Sequence, residues 1–397
     1  MLDAVRGAKL VPSRPRSNSV KVEYDVAVLG LGGMGSAVAA HAARRGLRVV
    51  GFEQFPLVHD RGSSTGRTRI IRKAYFEDAA YVPLLERAYT LWRELEDRSQ
   101  TALLDLFGTL MIGHPASAMI TGVTRAAASY DIAVEHLDAA QLRARFPRIA
   151  AEPGEVGVLE PDAGVVFPER AIAAHLNDAR DAGAALYDNV PIHGYERAGD
   201  RIRIRLDDDE HVDAARVAIC AGAWTSDLLA NVHLPLRVQR NVQYWFGSSL
   251  PCPPAELPAF FVERASLLAP LYGIPDLGDG LKVAFHGYGA TTVADQLDRE
   301  VHTDEIEAMR ETLASLMPGN EMTLRETKAC MYTLTPDGNF AIGRDPENAN
   351  VVVACGFSGH GFKFVPVIGE IVTQLLLDET PQLDIGFLRL DRLMAGR

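Results

Sequence analysis

The spacing of apolar residues changes several times along this 397-residue chain, and each change predicts an element. YDVAVLG (24–30) is an apolar run of strand length, broken only by Asp25, and GLGGMG (30–35) follows at once. Ser36 to Arg45 is alanine-rich and reads as a helix, with Gly46 placed to end it. LRVVGFE (47–53) is a second buried strand, so the order opens strand, glycine turn, helix, strand. From Tyr81 to Leu95 the apolar positions 81, 84, 85, 88, 91, 92 and 95 follow the 3.6-residue period of an amphipathic helix. RIRIRL (201–206) alternates instead, which predicts a half-exposed strand with Ile202, Ile204 and Leu206 facing inward. The acidic DDDE (207–210) after it reads as a solvated hairpin turn.

The remaining elements fill in around these. LFGTLMIG (106–113) predicts a strand, with helices around 116–129 and 138–146. EPDAGVVF (160–167) leads into a helix near 169–182, and ARVAICAGAW (215–224) returns to buried-strand character. From 232 to 290 the pattern is β-rich: QYWFG, AFFVE, APLYGIP and GLKVAFHGYG. A helix at 304–316 follows; NVVVACGFSGHGFKF (350–364) then runs from a strand through a glycine loop into a helix ending about Leu377. Rossmann-like strands at the start, middle and end, with a β-rich block interleaved, predict an α/β fold. A discontinuous nucleotide-binding domain is expected at 23–85, 155–230 and 325–397. A second, α+β domain on a mixed or antiparallel sheet is expected at 86–154 and 231–324.

Composition narrows the function classes. The chain is 47% hydrophobic and 23% charged, ordinary for a globular protein. A formal charge of −12 argues against a nucleic-acid partner. No apolar run approaches the ~18 residues of a membrane span. Four cysteines form no disulfide framework, which points to a reducing, cytoplasmic compartment. The first 22 residues are basic, with prolines and serines and no apolar core of a secretory signal, and are expected to be a disordered tail. The terminal MAGR carries no peroxisomal or endoplasmic-reticulum address.

Four constellations can carry chemistry. Gly30, Gly32 and Gly35 permit a tight turn that brings a pyrophosphate to the N-terminus of a helix, where free N–H groups favour anions. Glu53, at the end of the next strand, suits ribose hydroxyls. This fingerprint alone does not separate FAD from NAD. In TRIIRKAY (68–75), Arg69 and Arg72 suit an anionic group, although two surface arginines are as good a reading. In GFSGHGFKF (356–364) the glycines allow a ligand close to the backbone, with Lys363 beside it. His360 stands where a nucleophile elbow needs glycine, so a serine hydrolase is excluded. Lys282 and His286 share one face of a strand in GLKVAFHGY (280–288), where the lysine also reads as an edge residue. Cys330, in CMYTLTPD, reads on composition as a small core residue, like Cys220 and Cys355. No CxxC, HExxH or Walker-type loop occurs, so no metal and no ATP chemistry are expected.

Taken together, these stretches resemble the monomeric sarcosine oxidase and N-methyltryptophan oxidase family, flavoenzymes of the D-amino-acid-oxidase-like superfamily. The resemblance runs from about Tyr24 to about Arg392 and rests on GLGGMG, GSSTGRTRIIRKAY with YVPLLERAYTLW, LYGIP, GLKVAFH, CMYTLTPDGNFAIG and GFSGHGFKF, in the family's order. It implies an FAD domain of glutathione-reductase type and a substrate domain whose sheet covers the flavin. The implied reaction oxidises a secondary or N-methyl amino acid to an imine and reduces O2 to H2O2. A flavin-dependent amino-acid dehydrogenase, or an imino-acid oxidase of pipecolate or proline type, is the alternative. The resemblance further implies that Cys330 bonds the flavin's 8α-methyl group, that Arg72 and Lys363 clamp the substrate carboxylate, and that Arg69 and Thr68 lie against the flavin. It places Lys282 where oxygen is activated, His286 and Tyr272 in the substrate cavity, Tyr332 beside the flavin, and Gly359 and Gly361 in the cofactor loop. A monomer is implied. Two departures stand out: Thr65 where sarcosine oxidases usually have histidine, and Phe261 at a variable position near the cavity, which suggests a substrate other than simply sarcosine.

Overall fold

The computed structural model describes residues 23–207, 210–229 and 232–394. The proposed tail at 1–22 lies outside them. The strand Tyr24–Leu29 pairs in parallel with Val49–Phe52 on one side and His211–Ile219 on the other. A strand flanked on both sides and covered on both faces is apolar wherever it is buried, which is why 26–29 shows no alternation; Asp25, at the half-buried start, pairs with Arg48. Among the described residues this first sheet has eight strands. Ala185–Tyr187 extends it beyond Val49–Phe52, and Asn348–Cys355 joins His211–Ile219 in parallel. The helix Gly33–Arg44 covers one face, packed between Pro168–Asp181 and Val365–Leu376. Its alanines permit that closeness: a Cβ on Gly369 would lie 2.7 Å from the Cβ of Ala37.

The helix begins at Gly33, three residues before the expected Ser36. Glycine's poor helix propensity hides the start, yet glycine is what the packing needs. A Cβ on Gly35 would lie 1.8 Å from the Gly30 carbonyl oxygen, and one on Gly30, at φ +89°, would lie 2.6 Å from that of Cys220. The strand expected at 106–113 is only Thr109–Gly113. Gly108 turns the chain at φ +95° and gives its N–H to Ala163 instead. Arg201–Arg205 and His211–Ile219 form the expected hairpin, with Ile202 and Ile204 buried; positions 208 and 209 of its turn lie outside the described residues.

The second sheet has nine strands among the described residues. Leu281–Phe285 runs between Arg237–Ser248 and Leu271–Ile274, so Lys282 is on an inner strand and not at an edge. Met322–Leu334, which carries Cys330 and Tyr332, pairs antiparallel along the full length of Arg237–Ser248. Ala259–Glu263, Thr109–Gly113 and Val156–Glu160 continue the sheet. A small third sheet pairs Arg69–Ile71 and Leu104–Asp105 with Gly164–Val166. No helix among the described residues is long and apolar enough to cross a membrane.

Candidate active site

A cavity of about 290 Å³ starts at the carboxyl ends of Tyr24–Leu29 and Val49–Phe52 and extends to the second sheet. This is where a parallel sheet exposes backbone donors to a ligand. Gly30 and Gly32 line it. A Cβ on Gly32 would meet no atom within 4 Å, so open space lies beside the N-terminus of Gly33–Arg44. Glu53 is buried in the cavity wall, its Oε2 accepting from the Leu31 N–H at 2.9 Å and its Oε1 from that of Phe55 at 3.2 Å. Those bonds fix the carboxylate at the end of its strand.

Further along the wall, Arg69 donates to the carbonyls of Thr68 at 2.8 Å, of Ser63 at 2.9 Å, and of Thr65. One guanidinium thus ties down the whole 63–68 loop. Lys282 meets the same loop from the second sheet: its Nζ donates to Gly66 O at 2.6 Å, Thr68 O at 2.9 Å and Thr68 Oγ1 at 3.4 Å. Burial pushes this ammonium well below the usual lysine range, and the positive charges of Arg69 and Arg67 add to that. Thr68, Lys282 and Gly35 stand behind the cavity wall, as does Cys330; Arg69 is on it. The Cys330 sulfur touches Gln243, which does line the cavity.

The far end collects cations and rings. Arg72 is buried, with Nη1 donating to Ala74 O at 2.8 Å and Nη2 to Glu77 Oε2 at 2.6 Å. The rings of Tyr75 and Phe76 lie 4.4 and 4.3 Å from its guanidinium carbon. Burial pushes the Glu77 carboxyl up, but Arg72, His360 and Lys363 outweigh it and hold the group down at about 2. Lys363 Nζ donates to His360 O at 2.8 Å and to Tyr75 Oη at 3.5 Å. The Nε2 of His360 lies 3.1 Å from a carbonyl, Gly338 O, which only accepts. The Nε2 therefore carries the hydrogen, and Tyr75 Oη donates to Nδ1 at 2.6 Å. Burial, then Arg72, push Lys363 down to about 7.

The rings of Phe261, Tyr272, His286 and Tyr332 line this end, with Phe76 packed edge-on against Phe261. Phe261 lies 5.8 Å from Phe76, 5.7 Å from Tyr272 and 5.6 Å from His286, centre to centre. Burial lowers His286 to about 4, so it is neutral at pH 7, and burial keeps Tyr332 protonated. Tyr332 Oη and His286 Nδ1 are 3.4 Å apart. Gly359, at φ +81°, lets the 356–361 loop lie against Tyr332: a Cβ there would be 2.3 Å from the ring. Gly361 similarly admits Phe357, whose Cβ would lie 2.5 Å from its own. Among the described residues no cluster of His, Cys, Asp or Glu has metal-binding geometry.

The sequence reading missed Glu77, Tyr75, Gln243 and any positive role for His360. Glu77 is an acid five positions past Arg72 in the same loop, a signal that was available. Gln239, Asn241 and Gln243 place amides at period two along the strand Arg237–Ser248, and all three are buried, which marks one buried polar face. The Tyr75–His360 pair is 285 positions apart and has no local signal.

A buried acid beside a glycine turn at the end of a parallel sheet is the geometry of a dinucleotide site, and one cavity joins it to a pocket of cations and rings. Residues 25–375 match the family described as FAD dependent oxidoreductase. The chain is 42% identical over 380 residues to a monomeric sarcosine oxidase of Streptomyces avermitilis, covering 94% of this chain and 98% of that one. It is 34% identical to an N-methyl-L-tryptophan oxidase of Salmonella heidelberg, covering 94% and 99%. Among solved structures, NikD, an amino acid oxidase of nikkomycin biosynthesis, superimposes with a TM-score of 0.83 at 23% identity, covering 92% and 97%. Glycine oxidase from Geobacillus kaustophilus does so with 0.78 at 21%, covering 93% and 99%. The chain therefore belongs to the FAD-dependent oxidoreductases, in the group of monomeric sarcosine oxidase and N-methyltryptophan oxidase. The open space at Gly32 and the fixed Glu53 carboxylate fit the pyrophosphate and ribose of FAD.

Proposed function

We propose that this enzyme oxidises the C–N bond of a secondary or N-methyl amino acid to an imine, with O2 reduced to H2O2. The observation that carries this reading is the buried pair Arg72 and Lys363 at the ring-lined end of the cavity. Two cations there suit a carboxylate, and fixing it holds the amine nitrogen in one place. The same charges favour the neutral amine, the form that reacts. Bound FAD supplies the electron acceptor and passes the electrons to O2. His286 and Tyr332 border the reacting end with one neutral imidazole and one phenol. The Phe76–Phe261 wall favours a substrate with more hydrocarbon than sarcosine. A peroxide-coupled screen of sarcosine, N-methyltryptophan, proline, pipecolate and primary amino acids tests both statements. Dye reduction without peroxide would overturn the oxidase reading, and equal turnover of sarcosine and larger amines would overturn the size preference.

Cys330 we propose as a thioether tether to the flavin. Acid-precipitated protein should keep its yellow colour, and a Cys330→Ser protein should release it. We further propose a two-domain arrangement in which Val156–Glu160 and Met322–Leu334 belong with the second sheet, to which they are hydrogen-bonded. Four free, buried cysteines support a reducing cytoplasm, and the S. avermitilis relative's name supports a monomer.

Lys363 gives the clamp a pH signature. In the free enzyme it is an ammonium below about pH 7 and neutral above. A carboxylate with no titratable amine should therefore bind with constant Kd at low pH, then weaken above about pH 7 by up to roughly tenfold per unit. Lys363→Met should flatten this profile while binding weakly at every pH. A wild-type Kd that stays level from pH 6 to 9 would refute the assignment.

A further inference from the structure

We propose that Gln243 is the positioning residue for flavin attachment, holding the Cys330 sulfur through its side-chain amide. The inference rests on the tether reading above. In the antiparallel pair, Asn241 stands directly opposite Cys330. Gln243 is two residues further along, on the same face, and its Nε2 donates to Cys330 Sγ at 3.2 Å. Both residues are buried; Gln243 lines the cavity, and the Cys330 sulfur is in direct contact with it.

The berth of that amide is specific. A Cβ on Gly66 would lie 2.0 Å from Gln243 Oε1, so only glycine at 66, with φ +103°, leaves room. Gly66 is held in turn by Lys282 through its carbonyl. Gln243 Oε1 is buried without a hydrogen-bond partner, an unusual state for an acceptor in a cavity wall. Gln239 and Asn241 also carry unpartnered oxygens, but neither lines the cavity.

An N–H directed at the sulfur selects one Cys330 side-chain rotamer, and a sulfur held in one place needs no reorientation to meet the 8α-methyl group. Forming the sulfur–carbon bond to the 8α-methyl group releases one proton from the thiol and one from the methyl. The electron pair passes to the flavin ring, and O2 takes the two electrons and two protons away as H2O2.

The test compares wild type with Gln243→Leu and the isosteric Gln243→Glu, purified as holoproteins. After acid precipitation, tethered flavin is read as fluorescence of the protein band and by intact mass, and free flavin in the supernatant. In the variants the tethered-to-free ratio should fall at least fivefold, most in the Glu variant, while total flavin per chain is unchanged. A purely structural role would lower total flavin per chain together with tethered flavin, and that result overturns the inference. Wild-type tethering in the variants overturns it too, leaving the tether intact. A wild-type protein that releases all its flavin removes the tether reading and the inference together. If the Leu variant does not fold, the Glu variant, of equal size, decides.

Discussion

Arg72→Met is expected to lower kcat/KM for a carboxylate substrate by ~10²–10³, the scale of removing one partner from a buried ion pair. The loss should fall mainly on KM and exceed that of Lys363→Met. The reason is Glu77. Arg72 already holds a carboxylate of the protein itself, that of Glu77, at 2.6 Å. A substrate carboxylate must share the guanidinium with it or displace it. Without Arg72, Glu77 faces the incoming anion as an unneutralised buried charge, so the variant loses an attraction and gains a repulsion. Arg72→Met/Glu77→Gln should therefore bind better than Arg72→Met alone. A double-mutant cycle from initial rates measures that coupling, and additive effects would sink the argument.

That pairing shows where the sequence stops. Arg72 and Lys363 were legible as two cations in motifs far apart, and the fold brings both to one end of the cavity; their pairing as a carboxylate clamp rests on the family resemblance. The acid that occupies Arg72 was not read, although it lies in the same loop, because only the fold turns Glu77 back toward the guanidinium. The first sheet was legible in outline: strands buried on both faces print as apolar runs, and Gly30 and Gly35 print as the close contacts they permit. The helix start was obscured by those same glycines. Lys282 read equally well as an edge residue, since one strand's pattern does not say how many neighbours it has; pairing on both sides settles it. Cys330 and Gln243 lie 87 positions apart and meet only through cross-strand register.

Lys282→Met is expected to slow reoxidation by O2 by ~10²–10³, the usual loss when one preorganised donor is removed from a dry site. Reduction by substrate under anaerobic conditions should change far less. The first electron transferred to O2 creates a negative charge, and a cation already fixed nearby needs no reorganisation to stabilise it. Lys282 is fixed: three oxygens of Gly66 and Thr68 receive its hydrogens, and the Trp245 ring lies 5.3 Å from its nitrogen. Burial lowers its pKa, so the ammonium is lost as pH rises through that lowered value. The O2 step of the wild type should therefore slow as pH rises, and that of Lys282→Met should not. Lys282 also supports the 66–68 turn, so its removal has a structural side. Stopped-flow mixing of substrate-reduced enzyme with O2 separates the two. Equal losses in both half-reactions would mean that Lys282 only holds the turn, whereas a loss confined to the O2 step, with its pH dependence abolished, requires the charge itself.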